Sequence, residues 1–429
     1  SFMCRKRAAS GRRRVQDSRM LRAVIAVVAC AQVAVAFNLG GGLPSLGLRY
    51  AGAQSLSTQG RHRKTLALAN SKHAVQGLKS AAADAAPAVV REAKKGRGQL
   101  RARPIGVGHA APEVSISNAD MEKIVETTGE WIQSRTGIEN RHVLRGKETL
   151  RDLAIKAGKA AIKDAGIKAE DIDLVIVATS SPDDMFGDAP SVASGVGASR
   201  SAVAFDLTAA CSGFLFATVT ASQFLHNGGH KTALVVGADA LTRWVDWTDR
   251  NTCVLFGDGA GAMVLTSTEA TEEGGILGYE MHSDGTGYCN LQLPYEQTDR
   301  AVGPEHSVIE GKYTAIGMNG KEVYKFATRE VPEVIEEALA NAGLKTEDVD
   351  HLLLHQANIR IMEIVAQRLG IPMEKVIHNL EEYGNTSAAS IPLALAEAVQ
   401  SGKIKKGDVI ACAGFGAGLS WGATVMRWG

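Results

Sequence analysis

Cys211, His355 and Asn385 are the residues whose types and settings could do chemistry. Cys211 lies in FDLTAACSGFLFATVTASQF, where an apolar strand turns sharply into a long apolar helix. A thiol in the first turn of a helix faces unpaired N–H groups and the positive end of the helix dipole. Both favour thiolate, and predict a pKa below the free value of about 8.5. The plain alternative for a lone cysteine is a small buried side chain. His355 follows the apolar run HLLL and opens QANIRIMEIVAQRLG, a predicted helix. Strand ends are where α/β folds present side chains to ligands; His351, at the strand start, suits a structural role instead. Asn385, in EEYGNTSAASIPLALAEA, stands at a loop-to-helix junction, where capping is the ordinary task. Thr386, Ser387 and Ser390 could cap equally well.

Together the three residues support one reaction. A thiolate attacks a thioester, the thiol leaves, and an acyl-enzyme forms. A neutral histidine and an asparagine amide can then hydrogen-bond the oxygen of a second thioester. That stabilises an enolate as a malonyl carboxyl departs. Two N–H donors in place of a general base suit decarboxylation, because no proton leaves carbon. The enolate carbon then attacks the acyl-cysteine and forms a carbon–carbon bond.

The positioning elements are those of an α/β fold. PIGVGHAAPE reads as strand and turn, DLAIKAGKAAIKDAG has helical apolar spacing, and DLVIVATS suits a buried parallel strand. The chain also repeats itself. DAGIKAEDIDLVIV (164–177) aligns with NAGLKTEDVDHLLL (341–354) at a shift of 177, and the same shift carries AACSGFLFA (209–217) onto TSAASIPLA (386–394). Two halves, 104–275 and 276–429, should therefore share one fold, with the site between them. The copies differ where chemistry is expected: Cys211 falls opposite Ala388, Asn385 opposite Thr208, and His355 opposite Ala178.

Composition is that of a globular protein, with 45% apolar and 22% charged residues over 429 residues. Six cysteines without a CxxC pair encode neither a disulfide scaffold nor a structural zinc site. No apolar run reaches the roughly 18–20 residues of a membrane span. The net charge of +1 conceals an asymmetry: residues 1–103 hold 20 Lys and Arg against 3 Asp and Glu, the remainder 27 against 43. An acidic body argues against a nucleic-acid enzyme, which needs clustered positive charge.

Residues 1–103 read as an address. After Met20, Arg22 precedes an apolar core from Ala23 to Ala36 that closes on Ala34-Val35-Ala36, the pattern of a secretory signal. Beyond Phe37 the chain is rich in Ser, Ala, Arg and Lys, with Asp84 and Glu92 its acids as far as Arg103, as in a transit peptide. Signal followed by transit segment resembles the bipartite leaders of plastids of secondary origin, and implies a stromal enzyme.

Over residues 104–429 the chain resembles β-ketoacyl-acyl carrier protein synthase III, of the thiolase-like fold. The matching motifs are ETTGEWIQSRTGIENRH (126–142), DLTAACSGF (206–214), DWTDRNTCVLFGDGAGAMVL (246–265), LLLHQANIRI (352–361), GNTSAAS (384–390) and GFGAGLSWG (414–422). The spellings DDMFGDAP and DALTRWVDWTDR are closer to the plastid branch. The resemblance implies two duplicated halves in a five-layered α-β-α-β-α core, with Cys211 as acyl nucleophile and His355 and Asn385 as the decarboxylation pair. It implies condensation of acetyl-CoA with malonyl-acyl carrier protein, starting type II fatty acid synthesis. CoA thioester is then a substrate and no cofactor is needed.

Further positions carry over from the same resemblance. Cys211 with Gly416 or Ala417 would supply the oxyanion-hole N–H groups. Thr127, Trp131 and Arg250 would bind CoA, with Arg135 and Arg243 as additional charges, and Gly320, Tyr324 and Asn358 would line the pantetheine tunnel. Lys321 stands where bacterial relatives commonly have Asn. Lys325, Arg360 and Arg368 would form the carrier-protein patch. A homodimer is implied, its mate closing the acyl pocket with a residue in the region of Met185 or Phe186. The stretch 284–316 is expected to be a polar loop.

Three rival readings remain at this level. A thiolase-fold acyltransferase priming a polyketide, or using a longer or branched acyl-CoA, differs only at the pocket bottom. A papain-like hydrolase shares Cys, His and Asn but not an internally duplicated body, and a non-catalytic subunit would be expected to have lost one of the three.

Overall fold

The computed structural model describes residues 100–270 and 274–429. The leader reading of residues 1–103 lies outside them, save that the first strand begins at Leu100 rather than after 103.

The first half runs β1 (Leu100–Ala110), β2 (Ser115–Ser117), α1 (Asn118–Ile124), α2 (Gly129–Thr136), β3 (Asn140–His142), α3 (Leu150–Asp164), β4 (Leu174–Ala178), α4 (Ala189–Val196), β5 (Val203–Leu207), α5 (Gly213–His226), β6 (Thr232–Ala240) and β7 (Asp258–Glu269). The second runs β8 (Gly275–Ser283), β9 (Leu291–Gln292), β10 (Tyr295–Ala301), β11 (Ser307–Tyr313), β12 (Gly317–Met318), α6 (Gly320–Ala342), β13 (His351–Leu354), α7 (Ile359–Leu369), β14 (Val376–Ile377), α8 (Leu380–Tyr383), α9 (Ser390–Gln400), β15 (Val409–Gly416) and β16 (Ser420–Arg427).

Two five-stranded sheets of the same order result, β1-β7-β6-β4-β5 and β8-β16-β15-β13-β14. In each, the strand that ends the repeated motif lies beside the edge strand and is parallel to both neighbours: β4 to β5 and β6, β13 to β14 and β15. Strands buried on both faces need continuous apolar sequence, and LVIVA of β4 is buried throughout. Between the sheets run α5 and α9; α3 and α4 cover the outer face of the first sheet, α6 and α7 that of the second. These are the five layers. The apolar residues divide accordingly into a central core around α5 and α9 and two outer ones. Phe214 of α5 is fully buried there, a burial that contributes on the order of 1.5–3 kcal/mol.

Helix starts follow local chemistry. Thr149 and Asp152 form a capping box at α3, as do Ser117 and Asp120 at α1. One expectation is corrected. Residues 284–316 are no simple loop: Tyr295–Ala301 and Ser307–Tyr313 pair as an antiparallel hairpin. Both its strands are exposed along their whole length, so no alternation marks them in sequence. Cys253 belongs to the core, in the turn before β7. Among the described residues, no helix is long and apolar enough to cross a membrane.

Candidate active site

Each half ends a strand in a sharp turn that launches its inner helix. Ala210–Ser212 is a 3-10 turn before α5, and Ser387–Ala389 its counterpart before α9. Among the described residues, Ala210 (φ 47°) and Ser387 (φ 52°) are the non-glycine residues in the left-handed region. They are equivalent in the 177-residue shift. A left-handed residue costs about 1–2 kcal/mol, so both turns are held in place by the layers around them.

A cavity of about 200 Å³ opens on these turns, lined by Cys211, His355, Asn385, Ser387, Phe415 and Ala417 among others. The structure thus brings together the three residues singled out from the sequence. Cys211 is 7% exposed, and its Sγ accepts a hydrogen bond from the Ser387 hydroxyl at 3.3 Å. Burial pushes the thiol up to about 12, with the Ser387 hydroxyl pulling the other way and the Asp239 charge adding to the rise. The sequence expectation of a lowered pKa is therefore reversed. Desolvation of the thiolate outweighs the helix terminus.

His355 sits just past β13, its backbone N–H bonded to Ala413 O and its ring edge-on to Phe415 at 5.4 Å. Burial alone brings its pKa down to about 3, so the imidazole is neutral. Nδ1 lies 2.7 Å from Ser390 Oγ. That oxygen also accepts the Gln356 N–H at 3.3 Å; when the Ser390 hydroxyl donates to Nδ1, the ring proton is on Nε2. Asn385 is fixed by its backbone: its N–H donates to Leu255 O and its carbonyl accepts from Gly257. Oδ1 accepts the Ser387 N–H at 2.9 Å, which leaves Nδ2 as the free donor. Two N–H donors therefore line one cavity with no charge between them.

Around Cys211 the backbone of β15 comes close. A Cβ on Gly416 would lie 2.7 Å from Cys211 N, so no side chain fits between that N–H and the strand end. Ala417 follows in the cavity wall. In the other copy, the position equivalent to Gly416 is Asp239. Its Oδ2 accepts the N–H of Ala388, the counterpart of Cys211, at 3.1 Å. One N–H of the pair is closed by a carboxylate, while the other faces a glycine.

The remaining positions fall into three groups. Gly320, Tyr324 and Asn358 line the cavity. Thr127, Trp131 and Arg250 lie outside its lining but cluster: the Arg250 guanidinium stands 5.1 Å from the Trp131 ring centroid and donates to Glu126 O, and Thr127 Oγ1 is buried without a partner. Asn358 ties the two groups by donating to Arg135 O. Of the additional charges, Arg243 is spent on Asp183 and Ser181 O. Of the basic patch, Lys325 is paired with Glu322, while Arg360 and Arg368 donate to Ser134 O and Thr328 O and stay exposed. Met185 and Phe186 lie outside this cavity's lining; Phe186 is 100% exposed, on a loop pinned by Asp188 to Arg151. Asp239 and Phe415 were not singled out from the sequence. Asp239 could have been found by extending the repeat to β6 and β15, where it faces Gly416. Among the described residues, no three His, Cys, Asp or Glu side chains form a metal-holding group.

Known proteins share much of this sequence and fold. Residues 205–285 match the family 3-oxoacyl-[acyl-carrier-protein (ACP)] synthase III, and residues 339–428 its C-terminal family. The chain is 54% identical to the beta-ketoacyl-[acyl-carrier-protein] synthase III of Synechocystis sp. over 76% of its own length and 97% of the relative's. It superposes on the 3-oxoacyl-[acyl-carrier-protein] synthase III of Aquifex aeolicus with a TM-score of 0.69 at 41% identity, covering 76% of this chain and 100% of the other. The priming beta-ketosynthase of the R1128 polyketide pathway gives a TM-score of 0.69 at 33% identity, over 76% and 96% of the two chains.

Proposed function

The chain belongs to the 3-oxoacyl-[acyl-carrier-protein] synthase III family, and from that premise we propose that Cys211, His355 and Asn385 carry out its condensation. The enzyme is an acyltransferase that joins acetyl-CoA to malonyl-acyl carrier protein in fatty acid synthesis, giving acetoacetyl-acyl carrier protein, CoA and CO2. The polyketide-priming alternative is not favoured, the identity to synthase III relatives being the higher.

Cys211 takes the acetyl group from CoA, and its own N–H with that of Ala417 or Gly416 holds the oxyanion. The malonyl thioester oxygen then sits between His355 Nε2–H and Asn385 Nδ2. As CO2 leaves, those two donors stabilise the enolate, whose carbon attacks the acetyl-cysteine and expels the thiolate. The observation that carries this assignment is that His355 Nδ1 is engaged by Ser390 and Asn385 Oδ1 by the Ser387 N–H, which leaves Nε2 and Nδ2 for the substrate. No resident cofactor enters, since both thioesters are substrates.

Trp131 and Arg250 would sandwich the adenine of CoA, with Thr127 Oγ1 free to bond it, and pantetheine would run past Asn358 and Gly320. Arg360 and Arg368 would meet the acidic carrier protein. The exposed Phe186 and Met185 would be covered in a homodimer, where one of them closes the mate's acyl pocket. Residues 1–103 would direct the enzyme to a plastid of secondary origin, a reading that fits its cyanobacterial relatives. A reporter fused to residues 20–103 and found only in the secretory route would overturn it.

The test of function is condensation by the full chain with malonyl-acyl carrier protein and acetyl-, butyryl-, isobutyryl- or octanoyl-CoA, beside Cys211→Ala. Acetoacetyl product with acetyl-CoA preferred, absent in the variant, is the expected result. Preference for a longer primer would move the enzyme to the alternative.

A further inference from the structure

Behind His355 and Asn385, one carboxylate joins the two loops that carry them. Glu397 lies on α9, seven residues after Ser390 and so on the same side of the helix, about 10 Å further along it. Its Oε2 accepts from Asn379 Nδ2 at 2.7 Å, and its Oε1 accepts from the Tyr383 hydroxyl at 2.6 Å. His109 of β1 stands 4.0 Å away, beyond hydrogen-bond reach. From Asn379 the connection runs to His355. The Asn379 N–H donates to Gln356 Oε1 at 3.0 Å, and Gln356 Nε2 donates to Leu354 O at 2.6 Å, so the residues on both sides of His355 are tied in. From Tyr383 it runs to Asn385, two residues on. A Cβ on Gly257 would collide with Tyr383 O, and the Gly257 N–H donates to Asn385 O at 3.1 Å.

We propose that Glu397 is a positioning residue for decarboxylation, holding the His355 and Asn385 donors at one fixed separation. The inference rests on those two residues being the decarboxylation pair. An ionised carboxylate offers two acceptor oxygens and no donor, so one side chain can hold both loops at once. Ser390, on the same helix, engages His355 Nδ1. The helix α9 therefore fixes the histidine ring directly and the two flanking loops through Glu397. Donors that stabilise a developing enolate act only if they stand in place before the charge arrives. A displacement of about 1 Å can cost about 10²-fold in rate.

The other copy of the repeat engages the equivalent residues differently. The shift of 177 sets Thr220 opposite Glu397, Ala202 opposite Asn379 and Asp206 opposite Tyr383. Thr220 donates to Phe216 O of its own helix at 2.7 Å. Asp206 accepts the N–H groups of Asp188 and Ala189. The tie through an inner-helix carboxylate thus belongs to the copy that holds the donor pair, and the copy that holds Cys211 is built without it.

The test follows two half-reactions of the full chain separately: CO2 release from carboxyl-labelled malonyl-carrier protein, and single-turnover uptake of labelled acetyl by Cys211. Glu397→Ala should lower kcat for CO2 release by about 10²-fold, with KM for malonyl-carrier protein little changed and acetyl uptake reduced far less. Glu397→Gln keeps one acceptor oxygen and should recover part of the rate. Tyr383→Phe deletes one of the two bonds but keeps the ring that packs on His142. It should show a smaller loss of the same kind, and it decides the matter if Glu397→Ala does not fold. Equal loss of both half-reactions, or CO2 release at the wild-type rate in folded variants, would overturn the proposal and leave Glu397 a support of the fold. CO2 release at the wild-type rate from Asn385→Ala or His355→Ala would instead sink the donor pair itself, and the positioning role with it.

Discussion

The turns at Ala210–Ser212 and Ser387–Ala389 are one structure used twice, with one strained residue each and the same role of starting an inner helix. They differ in what meets the central N–H. Against Ala388 it is the Asp239 carboxylate, and the turn is closed. Against Cys211 it is Gly416, and the N–H is left for a ligand. The difference teaches how a duplicated fold acquires one active centre: a polar side chain satisfies one copy, and its removal opens the other.

The largest break is Cys211→Ala, which makes the two turns alike at their centres. Acetyl transfer should fall by on the order of 10⁴-fold or more while the melting curve barely moves, measured by labelled-acetyl uptake. Gly416→Ala comes next, because its Cβ would press on Cys211 N at 2.7 Å. It should cost about 10²–10³-fold in condensation, the scale of a lost oxyanion donor. Asn385→Ala should lose decarboxylation to a similar extent and keep acetylation of Cys211, a split that single-turnover labelling can read.

Smaller effects sharpen the comparison. Ser390→Ala leaves His355 Nδ1 and the Gln356 N–H without their shared partner and should destabilise the fold by about 1–3 kcal/mol, read by denaturant melts. His355 itself, held near 3 against an ordinary 6.5, binds no proton in the folded chain where the unfolded chain binds one. Its contribution to stability is present above 6.5 and falls as pH drops towards 3, by up to about 1.4 kcal/mol per pH unit. Decarboxylation should not titrate with this histidine in that window.

The repeat, visible as a constant shift between two motifs, made the doubled α/β fold legible, and departures from it pointed to Cys211, His355 and Asn385. The hairpin at Tyr295–Tyr313 was not legible, since strands exposed on both faces carry no alternation. Nor were the states of the reacting groups. A helix start argues for a thiolate at Cys211, yet burial decides for the thiol.

Residue types and their spacing thus determined by themselves which side chains could react and which copy of the repeat holds each. Which N–H stays open and that burial holds Cys211 as a thiol and His355 neutral were decided only by the tertiary structure. Those properties depend on contacts between strands and turns far apart in the chain and on how much water the assembled layers exclude, quantities with no signature in any single segment.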